Sequence, residues 1–164
     1  MIWRLARSLR ALLVAALTAS GFAACSGPTG LVAVGEPGEV CVPASIDGEA
    51  TVGLDVLENT SSGPVEVTGA SVVDQKGLDV VGWSVVEPGS DSAVVASGFV
   101  NSTSENSTAV ISAGKRMILV LGLRLERAPG TSEGVYVTYD QSGREAVTRT
   151  VISLRVVPAG QVCN

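Results

Sequence analysis

Ser112-Ala113-Gly114-Lys115 is the string in this chain that comes nearest to a catalytic motif. A lysine one helical turn from a serine can take the hydroxyl proton and free the oxygen for attack on a carbonyl. Here the string lies between two apolar, strand-like runs, and its Ala-Gly centre reads as a tight turn. Three-residue spacing in a turn does not align the two side chains. The chain contains no histidine, which excludes Ser-His-Asp and Cys-His nucleophiles and the usual zinc sites. Carboxylates are the chemistry that remains. Glu36, Glu39, Asp47 and Glu49 lie close in sequence, and Asp74 and Asp79 bracket a turn. A calcium loop needs several oxygens converging from one short segment, as in Asp-x-Asp-x-Asp-Gly strings, and the chain has none. A glycosidase needs one distinguished carboxylate pair, and nothing distinguishes one here. These acids read as solvated surface. The sequence therefore predicts no catalytic residue, no metal and no cofactor, and a protein that is not an enzyme.

Aromatic side chains are scarce, at 4%, so each is informative. Trp83 is flanked at alternate positions by Val81 and Val85. It reads first as a core residue and second as an exposed binding anchor for a glycan or a protein. Tyr136 and Tyr139 differ in parity on one strand-like run, so one should face the core and the other the solvent.

The elements that would carry these side chains are strands. Thr51 to Glu58 alternates, with Val52, Leu54 and Val56 on one face, the period of a half-buried strand. It stops at the loop-like Asn59-Thr60-Ser61-Ser62-Gly63-Pro64. Further strands are expected over 65–73, with Gly69 a bulge or bend, and over 80–86, 109–111, 117–126, 135–139 and 146–157. Residues 93–100 suggest an edge strand, and 101–108 an exposed polar loop. The run 117–126 is apolar on both faces in its first half and belongs in the centre of a sheet. Asp140 to Arg144 reads as a hairpin loop. Many short strands with regular turns are the pattern of a β-sandwich or a small barrel.

The N-terminal segment is of another kind. Met1 to Arg10 carries Arg4, Arg7 and Arg10, and Ala11 to Ala19 is apolar. That stretch has the length of a signal-peptide h-region and falls short of the roughly 20 residues a membrane span needs. Removing those three arginines from the 11 basic side chains leaves 8 against 16 acidic ones, a net charge of −8. Such a surface repels phosphate backbones, which argues against nucleic-acid binding.

Phe22-Ala23-Ala24-Cys25 resembles the lipobox of bacterial lipoproteins, in which small residues precede a cysteine that is acylated with diacylglycerol and becomes the mature N-terminus. The resemblance implies a signal peptide over 1–24, lipidation of Cys25, a flexible tether over 25–38 and a domain over 39–164. Within the tether, Leu31-Val32-Ala33-Val34 could form a short first strand, and about 15 flexible residues would span on the order of 20 Å. The membrane is then a partner through the lipid. The site is the extracytoplasmic face of the cell membrane, or the outer membrane where the cell has one. The chain has three cysteines. With Cys25 acylated, Cys41 and Cys163 remain, and in an oxidising compartment they should pair. A staple between the chain ends favours the sandwich over the barrel.

The segments Val52 to Thr60, Gly63 to Val67 and Ile111 to Lys115 resemble the turn grammar of bacterial immunoglobulin-like domains on exported proteins. The resemblance implies an all-β, immunoglobulin-like antiparallel β-sandwich of about seven to nine strands. In it the Asn59-Thr60 turn would close a hairpin, and the Ala113-Gly114 turn would lead into a strand of the opposite sheet. The function implied is a non-enzymatic interaction or structural module of the cell envelope, with another envelope protein or the cell wall as partner. The alternative is a small-ligand or ion-binding accessory protein of an envelope transporter.

Overall fold

Valine and leucine alternating with polar residues, and Gly- or Pro-containing turns at close intervals, leave strands as the only elements that can bury this chain's apolar side chains on one face. A computed structural model describes residues 30–89, 95–98 and 108–163. The signal-like segment, Cys25 and much of the expected edge strand and polar loop lie outside the described residues. The elements are β1 (Leu31–Val34), β2 (Gly38–Pro43), β3 (Glu49–Asn59), β4 (Val65–Val72), β5 (Leu78–Val86), β6 (Val95–Ser97), β7 (Ala109–Ile111), β8 (Arg116–Leu125), β9 (Gly130–Ser132), β10 (Val135–Asp140), β11 (Glu145–Arg149) and β12 (Ile152–Val157). There is no helix among the described residues.

The strands form two layers. The first sheet has the order β1-β3-β8-β5, with β6 sharing the β1 edge of β3. The apolar β8 is flanked on both sides, as its composition predicts. The second layer contains the ladders β11-β10-β4-β7 and β2-β12-β9. These two ladders are continuous. Tyr136 pairs with Arg149 on one side of a break and Ser132 with Leu154 on the other. Between them the Thr150 amide donates to the Val135 carbonyl at 2.9 Å, and the Val135 amide donates to Thr150 Oγ1 at 2.8 Å. Strands β9 and β10 are thus one interrupted strand, as are β11 and β12. The expected single strand over 146–157 breaks at Thr150-Val151 for this reason. The arrangement is an immunoglobulin-like sandwich: a five-strand sheet faces one whose last strand lies parallel to a short N-terminal strand, β2 against β12.

Inward-facing side chains of both sheets form one core, including Val52, Leu57, Val65, Val67, Trp83, Leu119, Leu121, Val137 and Leu154. The two layers are linked by the turn after Asn59. It passes from β3 of the first sheet to β4 of the second and does not close the hairpin that the resemblance implied. The Ala113-Gly114 turn does lead from β7 into β8 of the opposite sheet.

Strand β1 departs from the expected domain boundary. It pairs with β3 from Leu31↔Asn59 to Val34↔Val56, and Leu31 is buried. The folded domain therefore includes residues 31–34, part of the expected 25–38 tether. Burial of Leu31 and a row of antiparallel hydrogen bonds outweigh the pull of the surrounding glycines toward loop structure.

Candidate functional site

Cys41 and Cys163 form a disulfide with their Cα atoms 5.8 Å apart, across a sequence separation of 122. Cys41 lies on β2, and the parallel pairing of β2 with β12 brings the tail after β12 back to it. The bridge ties the edge strand β2 to the tail that follows its neighbour β12.

Trp83 is 4% exposed, and its strand pairs it with the buried Leu121. It is a core residue, so the surface anchor that its composition left open is removed from the list of contact groups. Burial of an indole ring takes roughly 150–250 Å² out of water, which is why a domain with few aromatics places it inside. The tyrosines divide by parity: Tyr139 is 6% and Tyr136 41% exposed.

The Ser112-to-Lys115 string is a turn. The Lys115 amide donates to the Ser112 carbonyl at 3.1 Å, and the Gly114 amide donates to the Asn59 carbonyl at 2.8 Å. Gly114 has φ +70°, a conformation that glycine adopts without steric cost. Both Ser112 and Lys115 are exposed, and neither is held as a nucleophile or a base. The carboxylates are dispersed along strand faces. Glu49 pairs with Arg124 at 3.5 Å and Glu58 with Arg116 at 2.8 Å, one at each end of the β3–β8 ladder. Glu39 lies 3.9 Å from Arg155, and Glu133 lies 3.7 Å from Arg149. Among the described residues no three acidic or cysteine side chains are grouped to hold a metal ion.

Three buried polar residues matter more than their sequence context suggests. Asn59 is fully buried. Its Nδ2 donates to the Gly63 and Ile111 carbonyls, each at 2.8 Å. Its Oδ1 accepts from the Ser61 amide at 3.0 Å and the Ser61 hydroxyl at 2.7 Å. Ser132 and Thr150 are the other two. The Ser132 hydroxyl donates to the Val73 carbonyl at 2.7 Å and accepts from the Val73 amide at 3.1 Å. These three residues build turns and strand breaks. They are not a reaction centre.

What the surface offers is contact. On the outer face of the second sheet stand Val110, Tyr136 and Val147, each exposed. Tyr136 is opposite Arg149 on one side and Ser71 on the other, and Val147 is opposite Thr138. At one end of the sandwich Ile46 is 89% exposed, beside a shallow depression of about 310 Å³ lined by Ala44, Leu125 and Pro158. At the opposite end Tyr139, Gln141, Arg144 and Glu145 line another of about 550 Å³. Both are open to solvent.

No family model and no curated protein matches this chain. Among solved structures, it is similar to the ASH/PapD-like domain of human CEP192 (PapD-like domain 7). That likeness has a TM-score of 0.39 and 13% identity, over 80% of this chain and 87% of that one. It is also similar to a family 123 glycoside hydrolase from Clostridium perfringens, with a TM-score of 0.39 and 15% identity. That match covers 76% of this chain and 23% of the hydrolase, so the chain spans less than a quarter of the hydrolase's length.

Proposed function

We propose that this chain is an exported protein, acylated at Cys25 and held at the extracytoplasmic face of a membrane. Its immunoglobulin-like sandwich serves there as a non-enzymatic contact module of the cell envelope. The observation that carries the reading is the Cys41–Cys163 bridge. Structural disulfides form and persist in oxidising compartments. The bridge also accounts for two of the three cysteines. Cys25 is the one left, directly after an apolar segment and a run of small residues. The dispersed carboxylates and the shallow, open surface support a module that works by contact with an envelope protein or the cell wall.

The experiment is intact-mass analysis and fractionation of the protein expressed in its own cell type. The mature protein starts at Cys25 and carries added lipid mass, and Cys25→Ser releases it from the membrane fraction. A non-acylated product secreted into the medium overturns the reading. So does membrane attachment that persists in the Cys25→Ser variant.

A further inference from the structure

The placement of β1 fixes which end of the sandwich an anchor at Cys25 would hold. Gly30 is tied into one end of the molecule. Its carbonyl accepts from the Thr60 amide at 2.8 Å and the Thr60 hydroxyl at 2.9 Å. A Cβ built on Gly30 would lie 2.5 Å from the Tyr139 hydroxyl and 3.3 Å from Gln141 Oε1. The Asn59 amide, next to Thr60, donates to the Lys115 carbonyl at 3.0 Å. Glu87 and Pro88 share a depression with Ser112 and Lys115. Four turns, at 60–64, 87–89, 112–115 and 141–144, therefore surround the point where the chain enters the domain.

Only five residue steps separate Cys25 from Gly30, and five extended residues reach at most about 18 Å. Strand β3, 11 residues long, runs from the far end to this one. At ~3.3 Å per residue it separates the two ends by roughly 35 Å. The reach of the tether is about half the length of the domain it holds.

The two ends differ in side-chain size: the near turns are small, and the far end carries the exposed Ile46. Most residues on the four near turns are Ser, Gly, Ala or Pro. Their exposed charges are Lys115 and Arg144 against Glu87, and the exposed Glu66 and Glu145 stand directly beside two of the turns. Asp140, just behind one tip, stands opposite Glu145 and Glu66 and accepts from the Gly143 amide at 2.8 Å. The far end carries Asp47, Asp74 and Glu126 beside Lys76 and Arg127, together with the exposed Ile46.

We infer that the end formed by turns 60–64, 87–89, 112–115 and 141–144 is a membrane-facing surface. It meets the phosphate headgroups of the bilayer that holds Cys25, with the sandwich standing end-on and the Ile46 tip pointing away. The inference rests on the acylation of Cys25. The test uses the full, acylated protein in phosphatidylglycerol-containing vesicles that carry a headgroup-linked energy acceptor. A fluorescent amino acid replaces Ala113 at the near end or Asp47 at the far end. Transfer from position 113 exceeds transfer from position 47. A long Gly/Ser insertion after Gly27 lowers transfer at 113 without changing the circular dichroism spectrum. Equal transfer from the two positions in a protein whose mass confirms acylation overturns the orientation alone. So does transfer at 113 that ignores the insertion. A protein lacking the acyl chain overturns the anchor and the orientation with it.

Discussion

Asn59 shows how one side chain can hold the two sheets together. It ends β3 in the first sheet, and its amide reaches the carbonyl of Ile111 on β7 in the second. Its other bonds set the turn that carries the chain across. Truncation leaves these buried groups without partners, each at a cost of about 1–3 kcal/mol. Asn59→Ala is therefore expected to lower the stability of the domain by roughly 3 kcal/mol in urea denaturation. Asn59→Asp should cost at least as much, because a carboxylate replaces the two N–H donors that face carbonyls. In the sequence Asn59-Thr60-Ser61 looks like ordinary loop, since composition cannot report that a turn residue is buried. Trp83 is the opposite case, because its apolar neighbours already favour the core. As the only tryptophan after Cys25, it should give blue-shifted emission that iodide quenches poorly in the native state. Red-shifted, freely quenched emission would contradict its burial.

At the scale of elements, the pattern of strands was legible, and their parity was legible only where no bulge interrupts it, as in β10. Period-2 alternation marks β3, β4, β5 and β10, and apolarity on both faces marks β8 as central. Three strands then change face midway, however. One extra residue in β3, between Gly53 and Val56, lets Ala50 and Val52 face the core on one side and Leu57 on the other. Alternation alone assigns that place to Val56, which is only half-buried. In β4 the extra residue is Thr68, beside the Gly69 that suggested a bend, and it turns inward-facing Val67 into inward-facing Ala70. In β5 it is Val81, between Leu78 and Trp83. A bulge adds a residue without changing the composition of a run, so a period-2 reading passes over it. The breaks between β9 and β10 and between β11 and β12 were hidden for a related reason. They are made by side chains standing in for backbone partners. Thr150 Oγ1 takes the Val135 amide that a regular ladder would give to a carbonyl. Thr150→Val keeps the shape and removes the acceptor, so it should cost about 1–3 kcal/mol. Thr150→Ser, which keeps the hydroxyl, should cost less. Equal stability of Thr150→Val and the parent in urea would show that this bond does not hold the break.

For the whole molecule, the decisive fact is that the N-terminal strand is divided between the sheets. β1 belongs to the first and β2 to the second, and the disulfide secures β2 alone. Tension on the chain at residue 30 is met by β1, with its four paired residues and buried Leu31. It reaches the bridge only after β1 has been stripped from β3. The bridge works instead on the unfolded chain and on the edge strand β2, which pairs on one side with β12. With a sequence separation of 122 between its cysteines, the chain-entropy account gives up to roughly 4–5 kcal/mol, and measured bridges more often give about 2–4. That is a large share of the 5–15 kcal/mol typical of a domain. Reduction, or the double change Cys41→Ser with Cys163→Ser, should lower the melting temperature by on the order of 10 °C. The far-ultraviolet β signal should survive at moderate temperature, because the core of both sheets does not involve the bridge. Hydrogen exchange should quicken first in 38–43 and 152–157, while the protection of β3 and β8 persists. A melting temperature indifferent to reductant would show that pairing of β2 with β12 suffices without the staple. Two free thiols at positions 41 and 163 by non-reducing peptide mapping would remove the bridge, and with it the account of Cys25 as the one cysteine left for a lipid.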